Sequence, residues 1–266
     1  MDFTEEPIKE TETEFVIWPR YFLEIAYDGK NYHGWQLQPN GNTVQAEIEL
    51  ALRRLLRQDK VVTVGCGRTD AGVHARKFFL HFIAHKEIED LEDLYFRMSH
   101  MLPKDIALYR VFRVADMAHA RFDATERSYE YHIHNKFNPF IRAYSTYCFF
   151  PLDIDKMNEA AKYLIGKMEF GSFCKTQGGQ KTMICDVRRA EWKTTSTGIV
   201  FHITADRFLR NMVRAIVGTL VDVGRGRMTV EQFQEVIKAN TRREAGSSMN
   251  AHGLFLTDIK YPYVHG

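Results

Sequence analysis

The sequence predicts an α+β fold of two similar halves, each with an antiparallel sheet, and the order of its apolar segments carries that prediction. In residues 18–115, short apolar runs of strand type alternate with two longer segments that have apolar residues at helical spacing. Residues 116–266 repeat this order more loosely. A chain of 266 residues is long enough for one large domain or two ordinary ones, and we place the join near residues 115–121.

The first half follows the order β-α-β-β-α-β, which is that of a ferredoxin-like split βαβ unit. Asn42, with Gln45 three residues later, matches a capping box at the start of the first helix. Pro103 ends the second helix. The expected elements are a strand at 21–27, a helix after Asn42, strands at 61–66 and 78–83, a helix at 91–102 and a strand at 106–114.

The second half is predicted from similar signals. Gly166 and Gly224 stand where helices end, and Thr229 opens a short helix. The expected elements are a strand at 129–134, a helix at 154–165, strands at 187–192 and 199–205, a long helix at 208–223, a short helix to 239 and a strand at 253–261.

Composition is that of a soluble globular protein, with 45% hydrophobic and 26% charged residues. No apolar run reaches the length that spans a bilayer. The acidic start lacks the basic-then-apolar pattern of a secretory signal, so we expect no membrane contact and a cytoplasmic location. The four cysteines are scattered without a Cys-x-x-Cys pair, which indicates neither a disulfide framework nor a zinc site.

The net charge of +2 hides an asymmetry along the chain. Residues 1–14 carry six acids and one base, a balance of −5, so the remainder carries +7. We expect residues 1–17 to be a disordered acidic leader, because they lack a periodic apolar face. The charge of the remaining chain suits a polyanionic partner.

The most informative segment is Gly67-Arg68-Thr69-Asp70-Ala71-Gly72-Val73-His74-Ala75, which follows an apolar strand. It places a carboxylate, Asp70, on a turn between Gly67 and Gly72, whose glycines let the backbone bend. Arg68 supplies a permanent cation that can bind phosphate or the carboxylate. An aspartate in such a turn more often only bonds its own backbone, so this segment alone favours a structural turn residue over a functional carboxylate.

Three arginines fall at i, i+3 and i+7 of the predicted long helix, namely Arg207, Arg210 and Arg214, and so share one face. The helix dipole disfavours cations near a helix N-terminus. Arg210 and Arg214 therefore indicate a nearby anion, either a carboxylate such as Asp70 or RNA phosphate. Arg207 fits a solvated edge at least as well.

A basic and aromatic strand face is predicted in the segment from Arg121 to Tyr131. If this segment is a strand, Arg127, Tyr129 and Tyr131 point to one side of the sheet. Such a face suits contact with a nucleic-acid backbone and base stacking. Ordinary cross-strand aromatic pairs produce the same pattern.

Taken together and in this order, the motifs resemble those of the bacterial tRNA pseudouridine synthases of the TruA type. The resemblance runs from about residue 21 to residue 262. The segments that carry it are Tyr27-Asp28-Gly29, Gly34-Trp35-Gln36, Thr43-Val44-Gln45, residues 67–75, Arg121 to Tyr131, Phe208, Met212-Val213-Arg214, Ile216-Val217-Gly218, Gly253-Leu254 and Tyr261-Pro262. Asn250-Ala251-His252 and Met168-Glu169-Phe170 depart from the residues more common in that family.

The resemblance implies isomerisation of uridine to pseudouridine in the anticodon stem-loop of tRNA, around positions 38 to 40, without a cofactor or a metal. It also implies a homodimer whose two subunits jointly hold a tRNA. By this likeness Asp70 is the catalytic carboxylate, Tyr129 packs on the target base and Arg214 pairs with Asp70.

The same likeness implies a central basic cleft flanked by the two halves. Arg68 would lie there at the flipped nucleotide. Arg121, Arg127 and Arg210 are the candidates for holding tRNA phosphates in the cleft, because cations supply most of the affinity for nucleic acid.

Two other classes of function are weighed against this one. A non-catalytic RNA-binding protein with two RRM-like halves would carry aromatic RNP residues, and Phe78-Phe79-Leu80 does not reproduce an RNP1 string. A glycosidase-like enzyme needs two carboxylates around one bond, and no second acid shares a turn or motif with Asp70.

Overall fold

The computed structural model describes residues 18–175 and 182–264. The acidic leader expected at 1–17 lies outside these residues. In the described part of the chain, no helix is both long and apolar enough to cross a membrane.

Ten strands and five α-helices make up the described chain. The strands are β1 (Arg20–Tyr27), β2 (Thr63–Gly65), β3 (His74–Ile83), β4 (Ile106–Val114), β5 (Glu126–His134), β6 (Thr146–Tyr147), β7 (Gly166–Glu169), β8 (Ile184–Thr195), β9 (Gly198–Ala205) and β10 (Leu254–Lys260). The helices are α1 (Val44–Leu56), α2 (Leu91–Met101), α3 (Ile154–Ala161), α4 (Met212–Gly224) and α5 (Val230–Ala239).

All ten strands belong to one sheet with the order β4-β1-β3-β10-β5-β9-β8-β7, while β2 pairs with β3 and β6 with β5. The pairs are antiparallel except for the parallel contacts of β10 with β3 and of β6 with β5. The predicted α+β class and the mostly antiparallel pairing are therefore confirmed, but the strands form one sheet instead of a separate sheet in each half. The sheet is continuous, because the C-terminal strand β10 lies between β3 and β5 and joins the two parts.

Two apolar clusters pack against this sheet, one in each part of the chain. In the first, Ile48 and Leu52 of α1 are fully buried in a cluster that also contains residues of β1 and β3. In the second, α4 is buried along almost its whole length, which explains its dense apolar sequence. The side chain of Tyr129 on β5 contacts both clusters. The middle of the sheet is therefore the place where residues from both parts meet.

The start of α1 differs from the prediction. The N-cap is Thr43, whose extended backbone lets its hydroxyl accept a hydrogen bond from the Ala46 amide at 3.3 Å. Gln45 does not close a capping box. Its Nε2 donates to the Thr63 carbonyl at 3.0 Å and so ties α1 to β2.

Thr43→Ala is expected to lower the free energy of unfolding by about 1–2 kcal/mol, because the variant loses the cap and a buried methyl group. The matched control is Asn42→Ala, since Asn42 only donates to the Asn31 carbonyl at the exposed surface. This control should change the free energy of unfolding by less than about 0.5 kcal/mol. Urea unfolding of both variants measures the difference, and a larger loss for Asn42→Ala would contradict the cap assignment.

The predicted long helix also starts later than expected, at Met212 instead of residue 208. Asn211 has φ +67°, a left-handed conformation that interrupts a right-handed helix. Arg207 and Arg210 therefore lie in the loop before α4. The shared helix face inferred from their spacing with Arg214 is wrong.

Candidate active site

Asp70 lies on the turn between β2 and β3, which packs against residues 32–35. The Gly72 amide donates to the Tyr32 carbonyl at 3.2 Å, and the Trp35 amide donates to the Thr69 carbonyl at 3.3 Å. Gly34 must be glycine here, because a β-carbon would lie 2.3 Å from the Thr69 oxygen. Hydrogen bonds with residues 32–35 thus hold the backbone that carries Asp70 in place.

Only one of the two glycines predicted to bend this turn is required for it. Gly72 has φ +79°, which favours glycine. Gly67 is not in that region, and a β-carbon there would meet no described atom within 4 Å. The second position that needs glycine is Gly34, which has φ +90° and belongs to a different segment.

Asp70 and Arg214 form an ion pair although they are 144 residues apart in the chain. Nη1 of Arg214 donates to Oδ2 of Asp70 at 3.2 Å. The Asp70 side chain is 32% exposed and that of Arg214 is 21% exposed. The carboxylate is therefore held from one side by a cation and stays open on another side to an incoming molecule.

A second contact holds the Arg214 side chain. Its Nε donates to the Met249 carbonyl at 2.6 Å, and the Met249 amide donates back to the Arg214 carbonyl at 3.0 Å. Arg214 lies in the first turn of α4, so the helix and residue 249 together fix the direction of the guanidinium. The ion pair is thus built from three separate parts of the chain.

Tyr129 is placed by β5 at the junction of the two apolar clusters. The ring of Phe208 meets it edge-on, with 5.1 Å between centroids and 85° between planes. Burial raises the pKa of the Tyr129 phenol, electrostatic interaction with Cys66 and with Asp70 raises this pKa further, and the charge of Arg127 opposes them. The Tyr129 phenol therefore stays protonated and neutral.

Arg121 is within electrostatic reach of three other arginines, Arg68, Arg127 and Arg207. Burial, followed by the charges of the other three, lowers the pKa of Arg121. The side chains of Arg68 and Arg121 are exposed. Like charges held this close favour an anion between them. This region of the surface is therefore electropositive.

Two of the four arginines predicted to bind substrate, Arg127 and Arg210, are placed differently from the exposed Arg68 and Arg121. Arg210 is exposed in the loop before α4, where its carbonyl accepts a hydrogen bond from the Lys175 amide at 3.0 Å. Arg127 points inward, and its guanidinium donates to four backbone carbonyls.

The family profile described as tRNA pseudouridine synthase matches residues 25–123 and 160–262, which is most of the chain. The chain belongs to this family. It is therefore an isomerase.

Curated relatives of this enzyme carry the name tRNA pseudouridine synthase A. The protein of Bacteroides thetaiotaomicron is 49% identical over 246 residues, covering 91% of each chain. That of Parabacteroides distasonis is 49% identical over 91% of this chain and 96% of its own. That of Bacillus pumilus is 38% identical over 89% of this chain and 97% of its own. These matches confirm the TruA type.

The two segments of the enzyme that depart from the common family pattern lie in different places. Asn250-Ala251-His252 packs against the Asp70 turn, since a β-carbon at Gly72 would lie 3.4 Å from that of Ala251. Met168 and Glu169 end β7, the edge strand, and Phe170 follows it; Oε2 of Glu169 accepts from Nδ2 of Asn240 at 2.6 Å. Only the first departure touches the turn that carries Asp70.

Three residues of the site were not singled out by sequence reasoning. Phe208 was named among the residues that carry the family resemblance but was given no role, and Met249 acts through its backbone carbonyl, which no sequence pattern reveals. Thr69 bonds the Tyr27 hydroxyl at 2.9 Å and so ties the turn to β1. Burial raises the pKa of the Cys66 thiol to about 12, so this neighbour of the turn is an unreactive core residue. Among the described residues, no cluster of His, Cys, Asp and Glu could hold a metal ion.

Proposed function

We propose that the enzyme isomerises uridine to pseudouridine in the anticodon stem-loop of tRNA, around positions 38 to 40. The observation that carries this proposal is the Asp70–Arg214 ion pair, with Tyr129 near enough for the charge of Asp70 to raise the pKa of its phenol. A partly exposed carboxylate, a cation that orients it and a neutral phenol together form a site suited to uridine chemistry without a redox step.

The reaction breaks the glycosidic bond between N1 of uracil and C1′ of ribose, turns the base and joins C5 to C1′. The proton on C5 leaves and N1 gains one, so the isomerisation balances without a co-reactant. Asp70 serves as the nucleophile or the base, and Arg214 aims one of its oxygens. Tyr129 stacks on the uracil, and its phenol can exchange a proton at C5.

The target nucleotide must leave its stack before it can reach Asp70, which costs a few kcal/mol. Exposed cations around the site offset this cost by binding phosphates. Arg68, Arg121 and Arg210 have exposed side chains and fit this role, with Arg68 at the flipped nucleotide because it lies two residues from Asp70.

The division of the chain into two halves is part of the same proposal. We assign residues 18–115 to an N-terminal ferredoxin-like half that carries Asp70 and residues 116–266 to a C-terminal half, with the basic cleft between them. The contact of Tyr129 with both apolar clusters supports a cleft at this junction.

We also propose a cytoplasmic homodimer whose two subunits hold tRNA jointly, as the family resemblance implies. Light scattering of the purified protein measures its oligomeric state.

The purified protein, incubated without any cofactor with tRNA tritiated at C5 of uridine, is expected to release tritium. A transcript with cytidine at positions 38 to 40 should release none from those sites, which tests the proposed position separately from the reaction. A non-catalytic RNA-binding protein would bind the tRNA and release nothing.

The fold weakens the alternative of an RRM-like binder. RRM sheets stack bases on exposed aromatic residues. Here Tyr131 is fully buried, and its hydroxyl donates to the Asn250 carbonyl at 2.8 Å. Tyr131 is thus not available to stack on a base.

A further inference from the structure

We infer that Arg127 is a positioning residue of the active site, which holds the turn that carries Asp70 against the loop that leads into the Arg214 helix. This inference rests on the proposed function and adds to it a residue that contacts neither the base nor the phosphates. It also replaces the phosphate-binding role expected for Arg127 from sequence.

The guanidinium of Arg127 connects three separate segments through their carbonyls. Its Nη1 donates to Asp206 and Ala124, each at 2.7 Å. Its Nη2 donates to Cys66 at 3.0 Å and to Arg121 at 2.6 Å. The segments are the entrance to the Asp70 turn, the connection between the two parts of the chain and the loop after β9.

The hydrogen bond from Arg127 to the Cys66 carbonyl acts on the Asp70 turn, because Cys66 is the residue at which the chain enters that turn. The Cys66 amide donates to the Phe79 carbonyl at 2.8 Å, so the sheet holds one face of the residue. Arg127 holds the carbonyl on the other face. Asp70 follows four residues later, on a turn whose far side is bonded to residues 32–35.

The Asp206 contact acts on the other half of the site. Asp206 is anchored to β8, because its amide donates to the Asp186 carbonyl at 3.1 Å and its Oδ1 accepts from the Asp186 amide at 2.8 Å. The loop that starts here carries Phe208, which packs on Tyr129, and leads into α4 and Arg214. One cation thus joins the supports of all three proposed catalytic residues.

Arginine suits this role because its planar guanidinium presents several N–H donors in a fixed geometry. The two terminal nitrogens offer four N–H groups, and the four carbonyls use them all. A phosphate could be bound through them only by breaking these hydrogen bonds. Lysine carries the same charge but cannot reach four carbonyls in one plane.

The test compares Arg127→Lys with the wild type in tritium release, tRNA binding and thermal unfolding. We expect kcat to fall about 100-fold, as when reacting groups are displaced by about 1 Å, while KM changes less than about threefold. The slope of log Kd against log salt should stay unchanged, because no phosphate contact is lost. Arg97→Lys, an exposed arginine paired with Asp93 on α2, is the control and should behave as the wild type.

Arg121→Gln is the matched contrast, because Arg121 is an exposed cation of the same cluster. It should raise KM and lower the salt slope by about 1. If Arg127→Lys instead shows this pattern with normal kcat, Arg127 is a phosphate ligand and the inference fails. It also fails if Arg127→Lys shows no cooperative unfolding, since the residue would then serve the whole fold.

Hydrogen–deuterium exchange separates this inference from the proposed function, because it needs no activity. In Arg127→Lys, residues 66–73 and 206–211 should exchange faster than in the wild type, while the α1 amides should not change. If both segments exchange at the same rate in Arg127→Lys as in the wild type, the inference is overturned, even if the wild type is active. Absence of tritium release by the wild type overturns the proposed function and leaves the exchange result to decide on Arg127.

Discussion

Asp70→Asn is expected to lower tritium release from uridine-labelled tRNA by at least about 10⁴-fold, the size of loss that follows removal of a reacting side chain. Asparagine has nearly the same volume and can still accept a hydrogen bond from Arg214, so the turn should keep its shape. It lacks the negative charge that attack on the sugar or base, or proton abstraction, requires. The tRNA Kd should change less than about tenfold, because phosphate contacts dominate affinity.

Asp59→Asn is the matched control for this variant, since Asp59 is an exposed acid in the loop before β2. It should retain wild-type turnover and affinity. Single-turnover tritium release measures the chemical step directly, and filter binding measures affinity. Turnover by Asp70→Asn at more than a few per cent of the wild-type rate would remove Asp70 from the reaction.

Arg214→Leu is expected to lower turnover by about 10²–10³-fold, since the loss of one oriented polar group in an active site has effects of this size. The carboxylate of Asp70 would lose the donor at 3.2 Å, and the Met249 carbonyl would lose the donor at 2.6 Å. The fold should survive, because a partly exposed ion pair contributes only about 0–1 kcal/mol to stability. Circular dichroism on heating checks this point.

The double variant Asp70→Asn/Arg214→Leu tests whether the two residues act together. If Arg214 works through Asp70, the double variant should be no slower than Asp70→Asn alone. Two residues that act together are already inactive when either one is lost, so the second substitution has nothing further to remove. Losses that multiply would show that Arg214 acts on the substrate independently. Turnover of Arg214→Leu at the wild-type rate would remove it from the site altogether.

Local patterns predicted several elements well. The strand at 106–114 matches β4, and the helix predicted at 91–102 matches α2 to within one residue. Alternating or helical apolar spacing decides these elements, and both depend on neighbours in sequence. The prediction was wrong where a single backbone conformation or a distant partner decides, as at Asn211 before α4 and at Thr43 before α1.

The active site was predictable in part. The Asp70 turn stood out from its own residues. The position of Arg214 indicated either a carboxylate such as Asp70 or RNA phosphate as its partner, and the family resemblance selected Asp70. The role of Arg127 was missed, because a strand pattern tells which way a side chain points but not that four backbone carbonyls meet it. Carbonyls carry no sequence signal, since every residue has one.

The amino-acid sequence by itself determined the α+β class, most strands and helices, the family and a carboxylate on a tight turn, because these depend on local chemistry and residue order. Only the tertiary structure decided that β10 joins the two parts into one sheet, that Asp70 meets Arg214 across 144 residues and that Arg127 points inward. The physical reason is that such contacts arise when distant segments pack, and the burial and hydrogen bonds that select them exist only in the folded chain.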